Sequence, residues 1–193
     1  MRRVLSLFKF FNKGINYKKT VFLMATAAFM AGAQAQIYGE LGYTSVKLKV
    51  TEDGDTYKSS PNAIRGIVGY DAHPNLAIEG MLAFGMGSAN VSGPDVPNGM
   101  KLKVDNAYGL FLKPKTKLND KLDVFGRLGY TKVKYKISYL GRSTNENDDS
   151  LSYGAGLSYA IASNISLNLD YVQYVKDDVS KSKGITFGVG YKF

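Results

Sequence analysis

The final residues, 184–193, alternate strictly. Ile185, Phe187, Val189, Tyr191 and Phe193 are apolar or aromatic, and Thr186, Gly188, Gly190 and Lys192 stand between them. That is the period of a strand with one greasy face. A helix would scatter the five large residues around its axis and would carry its glycines at about 1 kcal/mol each. Seven earlier stretches repeat the pattern: 37–50, 63–70, 76–85, 104–112, 123–137, 151–161 and 165–174. In the first, Ile37, Gly39, Leu41 and Tyr43 share a face; in the sixth, Tyr153, Ala155, Leu157, Tyr159 and Ile161 do. The opposite faces carry Glu40, Arg65, Glu79, Asp105, Arg127, Asn168, Asp170 and Lys192, diluted with Gly, Ala and Ser. The prolines (Pro61, Pro74, Pro94, Pro97 and Pro114) fall at strand ends or between strands, where a missing N–H does least harm.

Strands of about ten residues are long enough to cross a bilayer when tilted. The apolar faces then meet hydrocarbon and the charged faces line an interior. Hydrocarbon offers no hydrogen-bond partner, so such a sheet must close and leave no edge. A soluble barrel would be inverted, and here the minor face is too small and too charged to form a soluble core. Connections 71–75, 113–121 and 162–164 read as compact. Connections 51–62, 86–103, 138–150 and 175–183 are mostly longer and rich in Ser, Asn, Asp and Lys. Tight turns at one end and long loops at the other predict an all-β fold: an eight-stranded antiparallel up-and-down transmembrane β-barrel, with both termini at the tight-turn end. Tyr70, Tyr159 and Tyr191 sit near strand ends on the apolar face, as an interfacial girdle requires.

Residues 1–35 read as a cleavable signal peptide. Arg2, Arg3, Lys9, Lys13, Lys18 and Lys19 precede an apolar run, 21–32, and Ala33-Gln-Ala35 is a small-x-small cleavage site. The mature domain is then 36–193, beginning at Gln36. The signal also changes the charge argument. The chain is formally +9, which would suit a nucleic-acid partner. Taking the signal's six basic residues from the total of 25 leaves 19 against 16 acidic ones, and the nucleic-acid reading falls away. No cysteine is present, so the exported domain must be held by its hydrogen-bonded framework.

The signal, the eight alternating strands, the Gly-Tyr pairs (Gly42-Tyr43, Gly69-Tyr70, Gly129-Tyr130) and the Val189-Gly-Tyr-Lys-Phe193 terminus together resemble the small outer-membrane β-barrel family. That family includes OmpX, the opacity surface proteins and the membrane domain of OmpA. The resemblance covers the whole mature chain. It implies residence in the cell outer membrane, and it implies that Tyr191 and Phe193 form the signal read by the barrel-assembly machinery. A monomer is expected.

Catalytic chemistry finds little footing. His73 is the chain's one histidine, and it falls in a tight turn. No HExxH or comparable metal spacing occurs, no calcium loop fits the acidic clusters, and no cofactor is expected. An eight-stranded barrel is just wide enough to be filled by its own side chains. The reading is therefore a non-enzymatic barrel with a structural or surface-interaction role. The alternative is a narrow porin-like channel, or a carrier of small hydrophobic molecules such as OmpW is thought to be.

Three residue sets follow by parity. Glu40, Arg65, Glu79, Arg127, Asp170 and Lys192 should form a lumen ion-pair network, because a lone buried charge costs several kcal/mol. Val46, Leu48 and Val50 with Val133, Tyr135 and Ile137 turn the upper interior apolar, as a dry plug or a small pocket. On the outer face of the same two strands, Lys47, Lys49, Lys132, Lys134 and Lys136 fall at or above the outer headgroups. They are expected to contact lipopolysaccharide phosphates.

Overall fold

The structure is a computed structural model, and it describes residues 37–52, 54–140, 142–176 and 180–193. The expected signal peptide and Gln36 lie outside the described residues. The strands are β1 (Ile37–Glu52), β2 (Asp55–Ser59), β3 (Asn62–His73), β4 (Leu76–Gly85), β5 (Ala89–Asn90), β6 (Lys101–Lys117), β7 (Leu122–Tyr139), β8 (Arg142–Ala160), β9 (Ile165–Lys176) and β10 (Ser180–Lys192). β2 and β5 are short additions at the long-loop end. The other eight are the staves, each antiparallel to its neighbour. β10 returns to β1 along its whole length, from Lys192 opposite Tyr38 to Ser180 opposite Val50. The barrel is closed, so every stave finds hydrogen-bond partners on both sides within the apolar band.

Side-chain parity puts the large apolar residues outside. Leu41, Val68, Leu82, Leu128, Leu157 and Val189 are all exposed there. Aromatic residues bracket this band. Tyr159 and Tyr191 lie toward the tight turns. Tyr43, Phe84, Tyr108, Tyr130, Tyr153 and Phe187 circle the other end, the two-girdle pattern of an outer-membrane barrel.

Two stretches depart from the sequence expectation. Residues 138–150 were expected to be a loop, but they continue β7 and β8 as a ribbon that turns near Leu140. Its pairing runs without a break from Tyr139 opposite Arg142 to Leu122 opposite Tyr159. β8 meets β9 only from Tyr153 opposite Gln173 onward. Between Arg142 and Ser152, then, the second edge of β8 carries no strand among the described residues. The ribbon is held by polar cross-strand pairs: Lys132 faces Asp149, Lys134 faces Asn147 and Lys136 faces Asn145. The second departure is β6, which runs to Lys117 through the expected compact turn and carries Lys113 and Lys115 on its inner parity.

Candidate functional site

The inner face carries a charged cluster at mid-depth. Arg127 on β7 is at its centre. Its Nε donates to Glu79 on β4 at 2.6 Å, its Nη2 to Glu40 on β1 at 2.7 Å, and its Nη1 to Asp170 on β9 at 2.6 Å. Arg65 on β3 makes a forked pair with Asp170 and donates to the Tyr174 hydroxyl at 3.0 Å. Lys113 on β6 contacts Glu40 at 2.6 Å and Glu79 at 3.0 Å. Three cations thus meet three carboxylates, drawn from six of the eight staves. All six are buried, Glu79 completely. Forked arginine–carboxylate geometry suits such a site, since each guanidinium can hold two oxygens at once.

Aromatic residues frame the cluster. The Tyr38 hydroxyl donates to Glu79 at 2.6 Å. The Lys113 ammonium lies 4.3 Å from the Phe125 ring centre and 4.8 Å from that of Tyr38, while the Arg127 guanidinium lies 4.6 Å from Phe125. These rings let the cations leave water without leaving a favourable field.

The structure brings Glu40, Arg65, Glu79, Arg127 and Asp170 together and leaves Lys192 out. Lys192 has the inward parity, but it stands on the terminal rung at the mouth, with its side chain 40% exposed and 3.6 Å from Asp71. Lys113 occupies the place assigned to it. Asp105 also leaves the inner face. The ladder slips between Val104 and Asn106, and the bulged Asp105 pairs with Lys134 at 3.5 Å instead. Sequence reasoning missed Lys113, Tyr38 and Tyr174. Parity carried the signal in each case: Tyr38 is two residues from Glu40, and Tyr174 is four from Asp170.

Above the cluster, Val46, Ile67, Met81, Val133, Tyr135 and Tyr174 pack into one apolar layer, with Leu48 and Leu102 against it. The free space at this level is about 30 Å³, room for a single water and far below the size of a ligand pocket. Tyr135 donates to Ser182 at 3.2 Å, so its hydroxyl is satisfied inside the layer.

The five outer lysines form two separate groups. β1 and β7 stand four staves apart in either direction, on opposite sides of the barrel. Lys47 faces Lys183, and Lys49 faces both Lys181 and Lys58, so five ammonium groups gather on β2, β1 and β10. On the far side, Lys132 faces Asp149, Lys134 pairs with Asp105, and Lys136 faces Lys103. Tyr191 and Phe193 stack edge to face with centres 5.1 Å apart, and the Phe193 amide donates to the Ile37 carbonyl at 3.0 Å. His73 is exposed at the end of β3, and among the described residues no group of His, Cys, Asp or Glu could hold a metal ion.

Comparison with known proteins agrees with this architecture. The chain is 25% identical over 189 residues to the attachment invasion locus protein of Yersinia enterocolitica, which spans 91% of this chain and 99% of that protein. It is 32% identical over 89 residues to outer membrane protein X of Enterobacter cloacae, covering 45% of this chain and 51% of that one. The crystal structure of Ail from Yersinia pestis, solved with the heparin analogue sucrose octasulfate, superposes with a TM-score of 0.60 at 24% identity, covering 83% of this chain and all of that one. The model of the outer membrane protein beta-barrel domain matches residues 20–193. This chain therefore belongs to the outer-membrane β-barrel family and resides in the outer membrane.

Proposed function

We propose that the protein is a non-enzymatic surface-interaction barrel whose lumen is plugged by its own side chains. The observation that carries this reading is the β7–β8 ribbon. Its β8 edge meets no strand from Arg142 to Ser152 among the described residues, and it turns at Leu140, which is 80% exposed and held at a positive φ of 48°. A large apolar side chain in a left-handed tip conformation costs stability and gains nothing inside the fold. A partner met at the surface would recover that cost. The match to an attachment invasion locus protein supports the same reading.

The plug rests on the Arg127-centred cluster and on the apolar layer above it. A channel would need water through both levels, and a hydrophobic carrier would need far more than 30 Å³. At the rim, the two lysine groups contact lipopolysaccharide phosphates. That the related Ail was solved with a polysulfated sugar supports a polyanion at this level. The barrel is a monomer, and Tyr191 with Phe193 presents the closing strand to the assembly machinery.

The deciding experiment removes residues 138–143 and joins Ile137 to Thr144 by an Asn-Gly turn, which spares Tyr135 in the apolar layer and the outer lysines. Cells displaying the full chain should adhere to an epithelial monolayer, and cells displaying the shortened chain should fall to the vector level. Equal adhesion by both would sink the surface-interaction reading. Large, stable, nonselective steps in planar-bilayer recording would sink the plug. A changed lipid A mass spectrum on expression would point to an enzyme instead.

A further inference from the structure

The opposite mouth of the barrel holds a cavity of about 470 Å³, within the range of small-molecule sites. It opens at the tight-turn end, which faces the periplasm. Its floor is the underside of the charged cluster, with Lys113 and Phe125 at the bottom. We propose that this vestibule binds a short peptide through one free carboxylate.

The charge balance of the walls points to a single negative group. The cluster above is neutral, with three cations on three carboxylates. At the rim, Lys117 and Lys121 are matched by Asp120 and Asp123. Between these levels, Lys115 and Lys192 share one carboxylate: Asp71 takes Lys115 at 2.6 Å and Lys192 at 3.6 Å on its other oxygen. One positive charge is left over, and both ammonium groups line the cavity. A guest carboxylate would complete an alternating square of two ammonium and two carboxylate groups. A phosphate dianion would overshoot the surplus.

The far wall suits a peptide more than a simple ion. Ser158, Ser166 and Asn164 offer hydroxyl and amide groups on β8, β9 and the turn between them. Ala160 has a short side chain, and Gly190 leaves room for the Ser166 hydroxyl, which a Cβ there would meet at 2.6 Å. Tyr38 and Phe125 supply apolar surface toward the floor. Backbone amides of a guest can thus be met by neutral polar groups while its carboxylate sits on the cationic wall.

The test uses the full mature chain refolded in detergent micelles, with backbone amide NMR as the readout. Tri-alanine should shift the amides of 115–123, 158–166 and 190–192 with a Kd on the order of 1 mM. Tri-alanine amide, which lacks the carboxylate, and inorganic phosphate should leave them in place. Lys115→Gln and Lys192→Gln should each weaken tri-alanine by about tenfold. Asp71→Asn is the decisive variant, because freeing both lysines should tighten tri-alanine several-fold. It also keeps the test open if a lysine variant fails to fold. Equal shifts from tri-alanine and its amide, larger shifts from phosphate, or no gain in Asp71→Asn would each overturn the proposal.

Discussion

Tyr38 lies across Gly69 to reach Glu79. The three residues occupy one rung of the barrel, on β1, β3 and β4, and glycine is the middle one. A methyl group at position 69 would fall 2.1 Å from the Tyr38 ring. Gly69→Ala should therefore expel the ring and break the 2.6 Å hydrogen bond to a fully buried carboxylate. Losing a charge-assisted bond of this kind costs about 1.5–3 kcal/mol. Urea unfolding of the refolded barrel checks this. Tyr38→Phe alone should lose a similar amount, and the double variant should lose less than the sum, since both remove the same bond.

Arg127 is the single side chain on which all three carboxylates of the cluster converge. Arg127→Met keeps much of the volume and leaves Glu40, Glu79 and Asp170 to two cations. Breaking a buried pair by removing one partner costs about 3–5 kcal/mol. The urea midpoint should fall accordingly. Pairing Arg127→Met with Glu79→Gln should return part of the loss, because the surplus negative charge goes with it. A loss under 1 kcal/mol in the single variant would mean the carboxylates are solvated rather than locked.

Why these residues were partly hidden in the sequence follows from what alternation reports. The outer face was legible because hydrocarbon demands large apolar side chains at every second position, as at Phe187, Val189 and Tyr191. The inner face obeys charge matching across the barrel, which no local window contains. Glu40 and Arg127 meet only because closure brings β1 round toward β7. Lys113 stands at the start of 113–121, the stretch that reads as a compact connection. Yet Pro114 points outward, and Lys113 keeps the inner parity of Phe111. The β8 ribbon escaped because Arg142–Ser150 has no apolar residue to mark a face. Its register comes from β7, not from burial. Asp105 was misplaced because a one-residue bulge flips every parity argument beyond it.

The ribbon should respond to acid. Burial raises the Glu146 carboxyl above its ordinary range. A raised carboxyl in the folded state favours folding below the unfolded pKa, and that contribution is lost as pH rises through the folded value. The ribbon should therefore open more often at pH 7 than at pH 4. Hydrogen exchange of the amides between Arg142 and Ser150, corrected for intrinsic rates, reads this directly. Glu146→Gln should remove the difference and hold the acid-like protection at both pH values.

Phe193 touches the fold lightly. Its side chain is largely exposed, and its contacts are the Tyr191 ring and a backbone bond to Ile37. Phe193→Glu should therefore change the stability of the detergent-refolded barrel by less than about 1 kcal/mol. It should lower the amount assembled in the outer membrane of living cells several-fold. Fractionation and urea unfolding on the same variant separate the two effects. Equal proportional losses would make Phe193 a structural residue with no role in recognition.

The two lysine groups should not be equivalent. On β7, Lys132 faces Asp149 and Lys134 is paired with Asp105, which leaves Lys136, opposite Lys103, as the one of the three facing a like charge. On β1, Lys47 and Lys49 face Lys183, Lys181 and Lys58. Like charges directly opposite across a ladder are destabilising, so an external polyanion relieves more strain there. Each cation at an anionic surface contributes about 1 kcal/mol. Two variants test the difference: Lys47→Gln with Lys49→Gln, and Lys132→Gln with Lys134→Gln and Lys136→Gln. Each is refolded into vesicles with and without lipopolysaccharide, and the added stability is measured by urea unfolding. The β1 variant should lose more of the lipopolysaccharide-dependent gain although it removes fewer charges. Without lipopolysaccharide it should equal or exceed wild type, because the cross-strand repulsion is gone. A gain that is the same in wild type and both variants would reduce these lysines to ordinary surface charge.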